Sequence, residues 1–170
     1  MTAVLAILHN TPWWAFVVGA LLVTFGVRSL RPRNVAVPRL LIVPAIFMTW
    51  GLASLVLRSL AEPLLGADWL ACCVAGFAIG WQTTRLDGMR VDPGGWRVTL
   101  PGRRAPLVRN VSIFAAKYAL GVAFTLAPAW HGEIALADIG VSGLSEGYFI
   151  AWLLCLGLYY RRALRPVATT

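Results

Sequence analysis

The chain has 170 residues, 59% of them hydrophobic and only 13% charged, with a mean hydropathy of +0.73. A soluble domain carries about a quarter charged residues, and a chain this short leaves too much surface wet to hide so much apolar area, so a soluble globule is excluded and a single integral membrane domain is expected. The net charge of +8, from 15 Lys+Arg against 7 Asp+Glu, falls in short loops between apolar segments, which is the pattern of membrane insertion rather than of nucleic-acid binding.

The first ten residues lack the positive stretch of a cleavable signal peptide. The first apolar segment is therefore expected to remain as an anchor. A membrane helix needs about 20 mostly apolar residues, and five segments qualify. The first spans about residues 12–30, with Thr11 placed to cap it, Pro12 at its first position, and Trp13 and Trp14 at the interface. The second spans about residues 38–60, with a bend expected near 40–44 because Pro44 lies inside it. Arg58 and Glu62 are spaced to pair at its end.

The third spans about residues 63–84. Cys72, Gly76 and Gly80 recur every fourth residue, which places small side chains on one face where another helix can approach closely. Residues 85–104 form the longest polar stretch. Two short alternating runs around Asp92-Pro93-Gly94-Gly95 predict a β-hairpin over about residues 88–101 with a type II turn. An isolated hairpin is marginal in water, so Trp96 and the neighbouring arginines are expected to dock it on lipid headgroups. The fourth helix spans about residues 106–127, ended by Pro128, and the fifth about 145–160. Gly147, Ala151 and Cys155 repeat the small-residue spacing. The third and fifth helices are thus candidates to pack tightly, with each other or across a homodimer. The expected fold is an all-α membrane protein, a five-helix transmembrane bundle with a short cytoplasmic hairpin between helices three and four.

Three regions concentrate arginine: residues 28–39, residues 85–109 and the C-terminal tail with Arg161, Arg162 and Arg165. With five crossings they share a side. The opposite loops carry Glu62, Asp68, Glu133 and Asp138, and among the basic residues only Arg58 and Lys117 fall elsewhere. The bias puts the N-terminus outside, which is the periplasm in a bacterium, and the C-terminus in the cytoplasm.

Lys117 stands out as a charge deep in the fourth helix, where insertion costs about 2.5–3.5 kcal/mol. It is a candidate functional group, with Tyr118 beside it. The plainer reading has it snorkelling to the cytoplasmic headgroups. Glu146 is expected at the start of the fifth helix, stabilised by the helix N-terminus, or facing a periplasmic vestibule. His9, His131, Glu133 and Asp138 lie on the predicted outer side, but their spacing is not that of a metal site. The three cysteines show no C-x-x-C spacing and read as packing residues. Arg31, Arg33, Arg103 and Arg104 are expected to meet anionic lipid, with a specific lipid phosphate as the sharper alternative. Nucleophile motifs, phosphate-binding loops and dinucleotide fingerprints are absent from the sequence, so neither a catalytic residue nor a cofactor is assigned.

The run Pro101-Gly102-Arg103-Arg104-Ala105-Pro106-Leu107-Val108-Arg109-Asn110, continuing into Ile113-Phe114-Ala115-Ala116-Lys117-Tyr118, resembles a family of small bacterial inner-membrane proteins classed as a domain of unknown function. Thr11-Pro12-Trp13 and the Arg31-Pro32-Arg33 linker fit the same pattern. The resemblance implies a bacterial inner-membrane protein, brings no activity or cofactor, and adds interest to Lys117 and Tyr118. Three functions follow as expectations: a non-enzymatic protein acting through helix packing or partner binding; a small-solute or ion transporter, dimeric in its path, using Lys117; and a membrane enzyme with a periplasmic metal.

Overall fold

Apolar segments in hydrocarbon must satisfy every backbone N–H and C=O internally, and a helix does this within one segment. The computed structural model describes residues 11–59, 63–92 and 96–163. In chain order these form α1 (Trp13–Arg28), β1 (Arg33–Ala36), the single turn α2 (Val37–Leu40), α3 (Ile42–Ser59), α4 (Pro63–Thr83), β2 (Arg90–Val91), β3 (Arg97–Leu100), α5 (Ala105–Leu126), a 3-10 turn at Pro128–Trp130 and α6 (His131–Ala163). Three segments, Leu64–Thr83, Ala105–Leu126 and Pro128–Ala163, are long and apolar enough to cross a bilayer, while Trp13–Arg28 and Ile42–Leu57 are shorter apolar helices.

Several expectations are corrected. Pro12 itself occupies the N-cap position of α1, without a side-chain cap, because the Thr11 hydroxyl is engaged by Tyr118 at 2.7 Å. The bend before Pro44 is a full break at Leu41 between α2 and α3, where Pro44 has no N–H to bond back to Leu40. The last helix begins at His131 rather than near residue 145 and runs for 33 residues. Residues 131–144 hold no proline, and their one deep charge, Asp138, finds a cationic partner. The Arg58–Glu62 pair and the 93–95 turn lie outside the described residues.

The predicted hairpin exists as β2 and β3, but it is not isolated. The first arginine-rich linker supplies β1, and the antiparallel order is β1-β3-β2, with Arg33 opposite Leu100 and Val35 opposite Val98. A third strand and an apolar face give the sheet what two strands lack. Val98 buries with Leu40, Met89 and Leu156, and the Tyr159 hydroxyl donates to the Met89 carbonyl. The sheet therefore seats on one end of the helices, joining both basic linkers to the C-terminal end of α6. Trp96, at 76% exposure, points away from that seat.

Two contacts organise the helices. Leu22, Phe47 and Phe149 form an apolar centre joining α1, α3 and α6, with the Phe47 and Phe149 rings stacked at 5.4 Å. α4 and α6 meet backbone to backbone. A Cβ on Gly76 would overlap the Leu144 carbonyl, and one on Gly147 would overlap the Cys73 carbonyl. Outward faces are apolar, with Leu57 at 79% and Leu64 at 69% exposure, as in helices able to face lipid.

Candidate functional site

Lys117 lies 12 residues beyond Ala105, the first residue of α5, a rise of about 18 Å. Its ammonium does not snorkel. It turns inward to α6 and is 6% exposed. Nζ donates to Asp138 Oδ1 at 2.6 Å, to Ser142 Oγ at 2.8 Å and to the Asp138 carbonyl at 3.4 Å. An ammonium has three donors, and all three are met. The Trp50 ring on α3 stands 5.6 Å from Nζ, a cation–π distance. Ser142 in turn donates to the Asp138 carbonyl at 2.8 Å. Lys117 and Asp138 form an ion pair with both side chains buried.

Glu146 lies two turns further along α6, 4% exposed. It is 15 residues past His131, so the helix N-terminus does not act on it; that influence fades within the first turn. Its Oε2 accepts from Trp69 Nε1 on α4 at 3.1 Å. Its Oε1 is buried without a hydrogen-bond partner, as is Oδ2 of Asp68 on α4. Gly51 on α3 makes room for the carboxylate: a Cβ there would overlap Glu146 Oε1. Four helices thus converge on one cation and two acids. Buried polar groups in a membrane bundle are costly, and an acceptor left unfilled is a place where a donor can bind.

Tyr118 does not join this centre. Its hydroxyl pairs with Thr11 and its ring stacks on Phe114. Cys72, Gly76, Gly80, Gly147 and Ala151 meet along the α4–α6 seam: a Cβ on Gly80 would stand 3.0 Å from the Ala151 Cβ. Gly143 belongs to the same seam, against the Trp69 carbonyl, and its spacing was masked by the earlier expectation that this stretch was a loop. The outer-side metal set is not assembled. The His131 ring stacks on Phe124 at 4.2 Å and meets its carbonyl at 2.7 Å, Asp138 is held by Lys117, His9 lies outside the described residues, and no three His, Cys, Asp or Glu cluster among the described residues.

At the basic end, Arg31 and Arg104 are exposed while Arg33 and Arg103 line a cavity beneath the sheet. Arg103 donates to the carbonyls of Arg85 at 2.6 Å and Asp87 at 2.8 Å. This pins the turn at Gly88, whose φ of 78° favours glycine. Burial, with Arg28 beside it, lowers the Arg33 guanidinium from its ordinary range. Ser142, Trp69 and Arg109 were not singled out as site residues by the sequence, and Asp138 was weighed only in the outer-side metal set. Asp138 and Ser142 recur four apart, the interval of one helix face, which was the signal available once the helix was extended.

Comparison with curated proteins finds no match, and comparison with solved structures finds none. Over residues 1–163 the sequence matches a family profile, and the chain accordingly belongs to the family of unknown function DUF6622.

Proposed function

We propose that this is a bacterial inner-membrane protein of five crossings that moves protons, alone or coupled to a small solute, through the Lys117–Asp138–Glu146 centre. The observation that carries the reading is that centre: an ion pair deep among apolar helices, followed two turns on by a carboxylate oxygen that nothing fills. Ammonium and carboxylate groups exchange protons, and chains of them inside membranes mark proton paths. The orientation draws support from the sheet, which gathers both basic linkers and the end of α6 on one side. The arginine bias makes that side cytoplasmic, with the N-terminus periplasmic. Trp13 and Trp130, exposed at the opposite end, suit the outer interface.

A packing or partner-binding role was motivated by the small-residue faces. Those faces are occupied within the chain, α4 against α6, so they leave no such surface for a partner. Five helices make a thin bundle, and a second copy would complete a hydrated path.

The test is proton flux into proteoliposomes carrying an interior pH dye under an imposed potential. Wild-type protein is expected to accelerate flux over empty vesicles. Glu146→Gln, which keeps shape and removes the charge, is expected to return it to the empty-vesicle rate. A wild-type rate equal to that of empty vesicles, with and without added solutes, removes the proposal.

A further inference from the structure

The cavity at the basic end is independent of the Lys117 centre and has its own chemistry. It holds about 580 Å³, within the range of small-ligand sites. Arg28, Arg33, Arg39, Arg85, Arg103 and Arg109 line it, against one carboxylate, Asp87. These arginines come from two stretches far apart in the chain, residues 28–39 and 85–109, and the fold brings the two together. None forms an ion pair with a described carboxylate; the ion pair found among the described residues is Lys117–Asp138.

Their roles differ. Arg103 is committed to holding the 85–88 turn. Arg109 is fixed at the cavity floor, its guanidinium 5.0 Å from the Tyr148 ring and 4.7 Å from the Phe149 ring, with Nε donating to Asn110 Oδ1 at 3.1 Å. Such rings hold a guanidinium in place; Tyr148 also hydrogen-bonds it, and the remaining outer N–H groups are left for an acceptor. The Thr84 hydroxyl, also on the lining, is buried without a partner. Arg28, Arg39 and Arg85 are exposed members of the lining, which puts them on its solvent side. The remaining wall is apolar, with Phe25, Leu40, Trp152 and Leu156. Like charges gathered in a partly dry space repel each other, and an anion is what relieves them. The fork of arginine matches phosphate oxygens two at a time, and the apolar wall fits a ligand with a greasy portion.

We propose that this cavity is a binding site for a phosphate-bearing ligand, with Arg109 and Thr84 at its floor and Arg28, Arg39 and Arg85 at its mouth. Two sources share that chemistry, the headgroup of an anionic phospholipid at the cytoplasmic interface and a soluble phosphorylated compound. The site lies where α1, α3 and α5 meet the sheet, so an occupant would brace the sheet against the helices.

The full-length protein in an uncharged detergent is titrated with dihexanoyl phosphatidylglycerol, with inorganic phosphate, and with dihexanoylglycerol, which has the chains and no phosphate. Saturable binding near one per chain is expected for at least one phosphate probe and not for dihexanoylglycerol. Binding of the phospholipid that inorganic phosphate fails to displace identifies the lipid source. Displacement by inorganic phosphate identifies the soluble source. Arg39→Gln and Arg85→Gln together are expected to weaken binding at least about tenfold, as loss of charge-assisted hydrogen bonds does. Arg31→Gln and Arg104→Gln together remove the same charge outside the cavity and are expected to change it less than about twofold. Equal weakening by both pairs overturns the site in favour of diffuse surface attraction. So does the absence of saturable binding by the wild-type protein, or equal binding of dihexanoylglycerol; these readouts need no variant to fold.

Discussion

α6 presents two opposed faces, and they hold their neighbours in different ways. Toward α4 it shows Gly140, Gly143, Gly147 and Ala151, and the backbones nearly touch. Toward α3 and α5 it shows Asp138, Ser142 and Phe149, and contact runs through side-chain hydrogen bonds and rings. In lipid the hydrophobic effect does not drive helices together, so the first face works by close van der Waals fit and the second by charge and hydrogen bonding. The small-residue face tolerates no added atom. On the polar face the Lys117–Asp138 pair depends on both its members. One helix therefore shows how shape and electrostatics each specify a helix contact.

The largest effect is expected on the polar face. Lys117→Met takes the cation away from the buried Asp138 carboxylate, and should cost about 3–5 kcal/mol. Asp138→Leu should cost a similar amount. The double variant Lys117→Met/Asp138→Leu should recover much of the loss, since a buried pair replaced by apolar groups is often near neutral. Unfolding in detergent monitored by tryptophan fluorescence measures all three. A double variant as unstable as the sum of the singles breaks the claim that the cost lies in the unpaired charge.

The small-residue face comes next. Gly147→Ala forces its methyl onto the Cys73 carbonyl and should cost about 1–3 kcal/mol, the range of overpacking. Gly157→Ala lies on the same helix in open space and should stay within about 0.5 kcal/mol of wild type or gain slightly from helix propensity. The same unfolding measurement separates them, and equal effects at both positions would remove the distinction between seam and open face.

These faces were unequally legible in the sequence. Gly76, Gly80, Gly147 and Ala151 show a local four-residue rhythm that needs no knowledge of the partner. The hydrophobic runs likewise marked a stretch of every long helix, because length and apolarity are properties of one segment, but they missed the first fourteen residues of α6. The polar centre is different. Its ion pair joins residues 21 apart, and nothing local in either predicts the other. Treating residues 131–144 as a loop then followed from Glu133 and Asp138, which read as interfacial when their partners are unseen. The strand β1 was hidden for a related reason: Arg33-Asn34-Val35-Ala36 has little strand character alone and is paired only because β3 arrives beside it. The basic cavity was half legible, since arginine counts marked the end of the bundle but not which guanidinium groups turn inward.

Trp69 sharpens the comparison because it belongs to both faces. Its carbonyl occupies the space that Gly143 leaves, and its indole N–H is the donor to Glu146. Trp69→Phe keeps the backbone contact and most of the ring while deleting that donor, which removes the hydrogen bond that α4 gives to the Glu146 carboxylate. Hydrogen bonds inside membrane proteins average about 0.6 kcal/mol with a maximum near 1.7, so the expected loss is about 1 kcal/mol, smaller than either effect above. A double-mutant cycle with Glu146→Gln isolates the bond, since variants without a shared contact add to within about 0.3–0.5 kcal/mol. Non-additivity above that level shows that the indole positions the carboxylate. Simple additivity would mean that Trp69 serves the seam alone, and that Glu146 is held in place by Gly51 and the walls of the bundle rather than by the helix that α6 packs against most closely.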